Sequence, residues 1–306
     1  MFETACASHA VRPEGYLDLP RAARANFADD DADGLSDDEE NELAERFAPI
    51  VILHTRDRHR PASLTWLLAR TDPFQKLRRD SHSAGMLARR VPAARASDGR
   101  WRTGSSDASH WTTYVHTYER TDGGVNLQYW FFYPYNDGPL FFDHDHDWEH
   151  ITVRLDQRRE PLGVDFAQHA NDDPGVSTEW RDVKRFGDHP LVHSALGTHA
   201  SYGALAEIAW FEDVASCRNL ETCGHPVWKT WQGGGLENLG ERGRPLCHDQ
   251  ALSFRGRWGS AGVIPGTSAP FGPHYHRGYC VEAASGCSDE RAPVLEIGQR
   301  EAAIAR

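Results

Sequence analysis

Phe141-Phe142-Asp143-His144-Asp145-His146-Asp147-Trp148-Glu149-His150-Ile151-Thr152-Val153-Arg154-Leu155 carries the clearest strand signal in the chain. If residues 147–155 are extended, Asp147, Glu149, Ile151, Val153 and Leu155 share one face, while His150, Thr152 and Arg154 take the other. Two carboxylates are then predicted on the apolar side, where unpaired charge is costly. Four carboxylates and three imidazoles fall between residues 143 and 150. Such crowding is repulsive unless a cation, protons or open water relieves it. His with carboxylate is ligand chemistry for a borderline or hard divalent ion.

The flanking sequence is of the same kind. Residues 112–119 and 125–135 alternate as strands, with the hairpin signal Asp122-Gly123-Gly124 between them. Residues 50–54 form a short apolar strand, predicted to be buried on both faces, and residues 191–195 another. Residues 61–70 suggest a short helix, and 156–187 read as mixed loop. The 27 Gly and 17 Pro, against two Met, favour turns and strands over a helical bundle. The expected fold is mainly β: an antiparallel β-sandwich decorated with short helices and long loops. The predicted organisation is an N-terminal arm over 1–28, a calcium-binding loop over 29–40, and a β-sandwich domain with a metal site over 41–306.

The formal net charge is −12, which disfavours a nucleic-acid binder built on phosphate contacts. No apolar run approaches the roughly 20 residues of a membrane-spanning helix. No charged-then-apolar signal segment opens the sequence. Six cysteines without a CxxC pair point to disulfides rather than a zinc-thiolate site. The expected pairs are Cys217–Cys223, Cys280–Cys287 and Cys6–Cys247. An oxidising compartment follows, so the protein is expected to be secreted or periplasmic, and a monomer.

Asp29-Asp30-Asp31-Ala32-Asp33-Gly34-Leu35-Ser36-Asp37-Asp38-Glu39-Glu40 fits the calcium-loop pattern D-x-D-x-D-G-x5-E at every required position. Asp29, Asp31 and Asp33 supply side-chain oxygens, Leu35 a backbone carbonyl, Asp37 the ninth position and Glu40 a bidentate twelfth. Gly34 makes the sharp turn. No helix of EF-hand length precedes the loop, so it resembles the lone calcium loops of secreted bacterial proteins. Ser36 is placed to cap the following helix, with Leu43 and Phe47 on one face.

At the central stretch, Asp147 and Glu149 aim together, His144 is expected on the connecting loop just before them, and Asn136 or Asp137 ends the partner strand. That oxygen-rich set suits Mg²⁺, Ca²⁺ or Mn²⁺ better than structural Zn²⁺. HExxH, GxSxG, Walker and GxGxxG patterns are all absent. His193 or His199 would be a proton carrier if the fold brings it beside the metal.

Several ordered motifs resemble the vacuolar-protein-sorting-62-like family. They are Phe47-Ala48-Pro49-Ile50, Pro61-Ala62-Ser63-Leu64-Thr65-Trp66, Tyr129-Trp130-Phe131-Phe132-Tyr133-Pro134-Tyr135-Asn136, Asp147-Trp148-Glu149-His150 and Ser194-Ala195-Leu196-Gly197-Thr198-His199-Ala200-Ser201-Tyr202. A weaker echo stands at Phe271-Gly272-Pro273. That resemblance brings no defined activity.

Asp143-His144-Asp145-His146-Asp147-Trp148-Glu149 is similar to the GHRHDWE heptapeptide of the necrosis-inducing protein family, secreted plant cytolysins with a β-sandwich fold. The resemblance implies a divalent cation held by His144, Asp147 and Glu149, with a further ligand at Asn136 or Asp137. Asp143 and Asp145 stand where the heptapeptide has Gly and Arg, so the family's sphingolipid-headgroup target does not carry over directly. The expected function is binding of a polar glycan or lipid headgroup through the cation, with cytolytic or cell-surface action. The alternative is a metal-dependent hydrolase of glycosidic or phosphodiester bonds using His199, His193 or Asp145 as acid or base.

Overall fold

The computed structural model describes residues 28–70, 100–138, 142–168, 175–203, 213–217, 219–241, 244–246, 257–259, 267–276 and 278–284. The predicted arm over 1–28 lies outside these residues except for Ala28.

Ser36 caps helix α1 (Asp37–Arg46), its Oγ accepting from the Glu39 amide at 3.3 Å. Four acids in the first turn suit the positive end of the helix dipole. Leu43 and Phe47 are fully buried, as their i, i+4 spacing predicts. Strand β1 (Ile50–Ile52) follows, and Ser63 caps the short helix α2 (Leu64–Leu68).

Strands β2 (Thr113–Glu119), β3 (Val125–Asn136), β4 (His144–Leu155), β5 (Pro161–Phe166) and β6 (Val176–Glu179) form an antiparallel run. The Asp122-Gly123-Gly124 turn joins β2 to β3, with Asp122 Oδ1 accepting from the Gly124 amide at 2.9 Å. The later strands are β7 (Arg185–Phe186), β8 (His189–Ser194), β9 (Ser201–Tyr202), β10 (Val227–Lys229), β11 (Leu236–Asn238), β12 (Gly240–Glu241) and β13 (Arg244–Pro245). One sheet is ordered β11-β2-β3-β4-β5-β6, and the second β10-β1-β8-β7 with β9 on β8.

The two sheets close over one core. Tyr129, Phe131, Tyr133, Ile151, Val153 and Leu155 of the first meet Val51, Val192 and Trp228 of the second, with Leu43 and Phe47 of α1 beside them. Trp130, Phe132 and Trp148 point to the other face, where Leu64, Leu67, Trp258 and Tyr279 cover them. Each buried large side chain of this kind stabilises by about 1.5–3 kcal/mol relative to exposure. Ile50 and Ile52 pack away from Val51, against Ala215, Leu191 and Val227, so β1 is buried on both faces as predicted.

Three expectations need correction. The sheets are mixed rather than antiparallel: β1 runs parallel to β8, and β11 parallel to β2. Both partners are reached by long excursions, so no hairpin imposes an antiparallel direction. His144 lies in β4 itself, paired with Asn136, rather than on a connecting loop. The stretch 156–187 contains β5, β6 and β7; Pro161, Gly163 and the polar Ser177-Thr178-Glu179 hide the strand signal.

Among the described residues no helix is long and apolar enough to cross a membrane. The Cys217–Cys223 disulfide is present, and Cys280 is also disulfide-bonded. The predicted roles of Cys6, Cys247 and Cys287 fall outside the described residues.

Candidate functional site

Register fixes the start of the site. Asn136 pairs with His144, Tyr135 with Asp145, Tyr133 with Asp147 and Phe131 with Glu149. His146 has φ +61°, left-handed backbone inside a strand. Such a residue reorients the chain on either side of it, so face parity applies from Asp147 onward. There it holds: Ile151, Val153 and Leu155 enter the inter-sheet core, while His150 stacks on Trp130 across the other face at 4.0 Å.

The second sheet supplies the partner of Asp147. After β8 the chain turns through Gly197, whose φ is +81° and whose added Cβ would lie 2.2 Å from the Asp137 carbonyl oxygen. Only glycine fits that turn. It presents His199, itself at φ +59°, with Nδ1 3.1 Å from Asp147 Oδ2. Nε2 of the same ring lies 3.4 Å from Asp57 Oδ2. The imidazole stacks flat on Tyr133, ring centroids 3.8 Å apart. Tyr133 hydrogen-bonds the Ser194 side chain, and burial raises its phenol pKa well above the ordinary value.

Asp57 is held by backbone. Its Oδ1 accepts from His59 N at 2.8 Å and its Oδ2 from Gly197 N at 3.1 Å. Burial opposes the carboxylate, but His199 and these amides outweigh it and bring the pKa down to about 2. Burial likewise opposes the imidazolium, yet Asp57 and Asp147 push His199 up to about 9. Asp57 was missed in the sequence. It follows a buried strand among Arg56, Arg58 and His59, a basic context that reads as a solvated turn.

The other predicted residues are placed as follows. Glu149 is buried, and with Asp57 and Asp147 its charge bears on Tyr133. His144 Nδ1 bonds the His146 carbonyl at 2.9 Å. Asn136 Nδ2 donates to the Phe142 carbonyl at 2.7 Å. Asp137 is exposed, 3.6 Å from His59 Nε2. Asp145 is buried and 2.7 Å from Arg102 Nη2. His193 turns away, bonding the Ala215 carbonyl at 2.9 Å, and burial lowers its pKa. Burial also holds His146 neutral, its pKa down to about 4. So Asp147 and Asp57 meet at His199, Glu149 is buried with its charge bearing on Tyr133, and His193 and Asp145 bond elsewhere. The donor atoms of His144, Asp147 and Glu149 do not all lie within 4.8 Å of one another; among the described residues Asp29, Asp31 and Asp33 alone form such a group.

That group could hold a metal ion. Asp29 accepts from the Asp33 and Gly34 amides at 3.2 Å each, and Gly34 has φ +99°. Asp33 Oδ1 accepts from Leu35 N at 2.7 Å. Both Asp31 oxygens, Asp33 Oδ2 and Glu40 Oε1 are buried without a hydrogen-bond partner. Burial and the neighbouring carboxylates raise Asp31 to about 7 and Asp33 to about 8, and Glu40 well above the usual range. Glu40 Oε2 accepts from Asn238 Nδ2 at 2.9 Å. Asp37 Oδ1 accepts from Asp30 N at 3.1 Å.

No family model matches the chain. A Saccharomyces cerevisiae protein named for vacuolar protein sorting, TDA6, is 28% identical over 178 residues, covering 46% of this chain and 36% of that protein. Vacuolar protein sorting-associated protein 62 of the same yeast is 24% identical over 175 residues, covering 48% and 37%. The matched part therefore spans little more than a third of each relative. Among solved structures, a toxin fold for microbial attack and plant defense aligns at 18% identity and TM-score 0.36, covering 55% of this chain and 69% of that one. NLPPya in complex with glucosamine aligns at 17% identity and TM-score 0.38, covering 71% and 81%. Scores this low leave the fold resting on the sheets described above. Over about half its length the chain is similar to vacuolar-protein-sorting-62-like proteins, and its central heptapeptide is similar to that of the necrosis-inducing proteins.

Proposed function

We propose a secreted, divalent-metal-dependent β-sandwich protein that binds a polar glycan or lipid headgroup through a cation at His144, Asp147 and Glu149. The observation that carries this reading is a concentration of buried carboxyl groups. Asp57 and Asp147 flank the one imidazole His199, and the charges of Asp57, Asp147 and Glu149 all bear on Tyr133. A cation there would offset the mutual repulsion of these carboxylates. His144 Nε2, Asp147 Oδ1 and Glu149 would be its protein ligands, with Asn136 or Asp137 at the neighbouring strand end. Mg²⁺, Ca²⁺ or Mn²⁺ suits that donor set. The bound ion would supply an electrophilic centre for headgroup or sugar oxygens, while His199 keeps Asp147 in place through Oδ2. The loop 29–40 is assigned to Ca²⁺ as a separate, structural ion.

The hydrolase alternative has less support. His199 is fully buried between two carboxylates, Asp145 is paired with Arg102, and His193 bonds a carbonyl. None is free to carry a proton to a substrate.

The test combines metal content with binding. Protein stripped by chelator and reloaded should bind immobilised glycans or headgroup-bearing vesicles only with metal, and without turnover. Binding that survives chelation and Glu149→Gln would sink the reading.

A further inference from the structure

We propose that His54 and His225 form a proton-operated clasp. At neutral pH they hold residues 213–217 and 219–226 as a strap over the outer face of the second sheet, and at acid pH they release it. The strap covers the side of β1 away from the inter-sheet core. The clasp is independent of the cation proposed at His144, Asp147 and Glu149.

The strap is what closes this face. Ile50 and Ile52 are fully buried with Ala215, and Cys217, Leu220 and Cys223 pack beside Leu191 and Val227. The Cys217–Cys223 disulfide ties the strap to itself. At one end it is fastened to the turn after β8: Ala215 N donates to the Ser194 carbonyl at 3.2 Å, and Leu196 N to the Asp213 carbonyl at 2.7 Å. At the other end it is fastened to the residues after β1. Leu53 N donates to the Pro226 carbonyl at 3.0 Å, and Thr55 Oγ1 to the Gly224 carbonyl at 2.7 Å.

The two histidines stand at this second end, ring centroids 5.1 Å apart. Each is committed as an acceptor. His54 Nδ1 accepts from Arg56 N at 3.1 Å, and His225 Nδ1 from Thr55 N at 3.1 Å. A ring nitrogen that accepts an N–H carries no proton, whereas both nitrogens of an imidazolium are donors. Charging either ring therefore sets two hydrogens against each other and breaks its amide bond. Thr55 Oγ1, 2.9 Å from His225 Nδ1, would still face a protonated His225, but the Thr55 amide would be lost. His54 is buried, with Nε2 3.5 Å from Asp213 Oδ1, and the exposed Asp213 also pairs with Arg56. Arg60 donates to the His54 carbonyl at 3.2 Å, and Asp57 is engaged by His199. Burial, with Arg56 and Arg60, lowers the His54 pKa against the pull of Asp57; burial and His54 lower that of His225. Neutral rings thus favour the closed strap. Their contribution is present above the ordinary 6.5 and is lost as pH falls below it.

The experiment is amide hydrogen exchange by mass spectrometry on the full-length, disulfide-bonded protein at about pH 7.5 and about pH 5, with rates corrected for the intrinsic pH dependence of exchange. Peptides spanning residues 50–56 and 213–226 should exchange about tenfold faster at the lower pH, while β2, β3 and β4 stay protected and circular dichroism is unchanged. The opening is local, so exchange reads it where melting does not. His54→Asn combined with His225→Asn offers each amide an oxygen that does not titrate, and should keep the strap closed at both pH values. Equal protection of these peptides at both pH values in wild type overturns the clasp. So does acid opening that persists undiminished in the double variant. If the double variant fails to fold, or is open at both pH values, NMR titration of the wild-type imidazoles decides. Opening that follows His54 or His225 supports the clasp, and opening with a midpoint apart from both overturns it.

Discussion

His199 Nδ1 lies 3.1 Å from Asp147 Oδ2, joining the turn after β8 in one sheet to the buried part of β4 in the other. The contact crosses the sandwich at the end where the heptapeptide stands. It makes one imidazole responsible both for closing the sheets and for aiming a carboxylate proposed as a metal ligand.

Removing Asp57 should reveal how much His199 depends on its charge. Asp57→Asn is expected to lower the His199 pKa from about 9 and to destabilise the fold by about 3–5 kcal/mol, since it breaks a buried pair. Imidazole titration by NMR and urea unfolding check both. A His199 pKa unchanged in the variant would falsify the pairing.

The same pair fixes a pH window. His199 is raised above 6.5 to about 9, so its contribution is complete below 6.5 and is lost as pH climbs through 9. Asp57 is lowered from 3.8 to about 2, so its contribution is present above 3.8 and lost as pH falls through 2. Melting temperature should therefore plateau between these limits and fall toward pH 9 and above. In His199→Gln the alkaline fall traceable to this ring should vanish.

Loop 29–40 should behave in the opposite sense to ordinary acid residues. Asp31 and Asp33 are raised from 3.8 to about 7 and 8. Without cation, stability from their protonated forms is present below 3.8 and lost as pH rises through 7 to 8. Calcium should restore it most at alkaline pH, because only the ionised carboxylates bind. Melting curves with Ca²⁺ and with chelator, at pH 5 and pH 8.5, decide this. An equal calcium effect at both would count against it.

Gly197→Ala is expected to cost about 1–3 kcal/mol from its left-handed backbone, with more from the clash at the Asp137 carbonyl. The turn would shift, and with it His199. Loss of metal binding at the central site together with a lower melting temperature is the expected pair of outcomes. A variant as stable as wild type with full metal content would show that the turn does not position the site.

Asp147→Asn and Glu149→Gln should each lower divalent-metal content beyond that held by the loop, read by elemental analysis against Asp31→Ala. Wild-type content in both would remove the central site.

Much of this was legible from alternation. Ile151, Val153 and Leu155 declared the buried face of β4, and the spacing of Asp29, Asp31 and Asp33 pointed to their cluster, because both depend on local pattern. The partners of those groups were not local. Asp57 meets His199 only through the packing of two sheets, and no spacing links them. His146 upsets parity by a backbone angle that its residue type does not advertise. Arg102 sequesters Asp145 from a short 3₁₀ turn in sequence without periodicity.

Strand β1 sits between β8, residues 191–193, and β10, residues 227–229. A strand made early in synthesis must wait for both neighbours until most of the chain has emerged. Until then its Ile50, Val51 and Ile52 are uncovered, in a segment with two open edges. Assembly of the second sheet is therefore a late, slow event. During it the nascent chain is open to chaperones and to mispairing, and a chain cut short before Lys229 would keep that adhesive edge permanently.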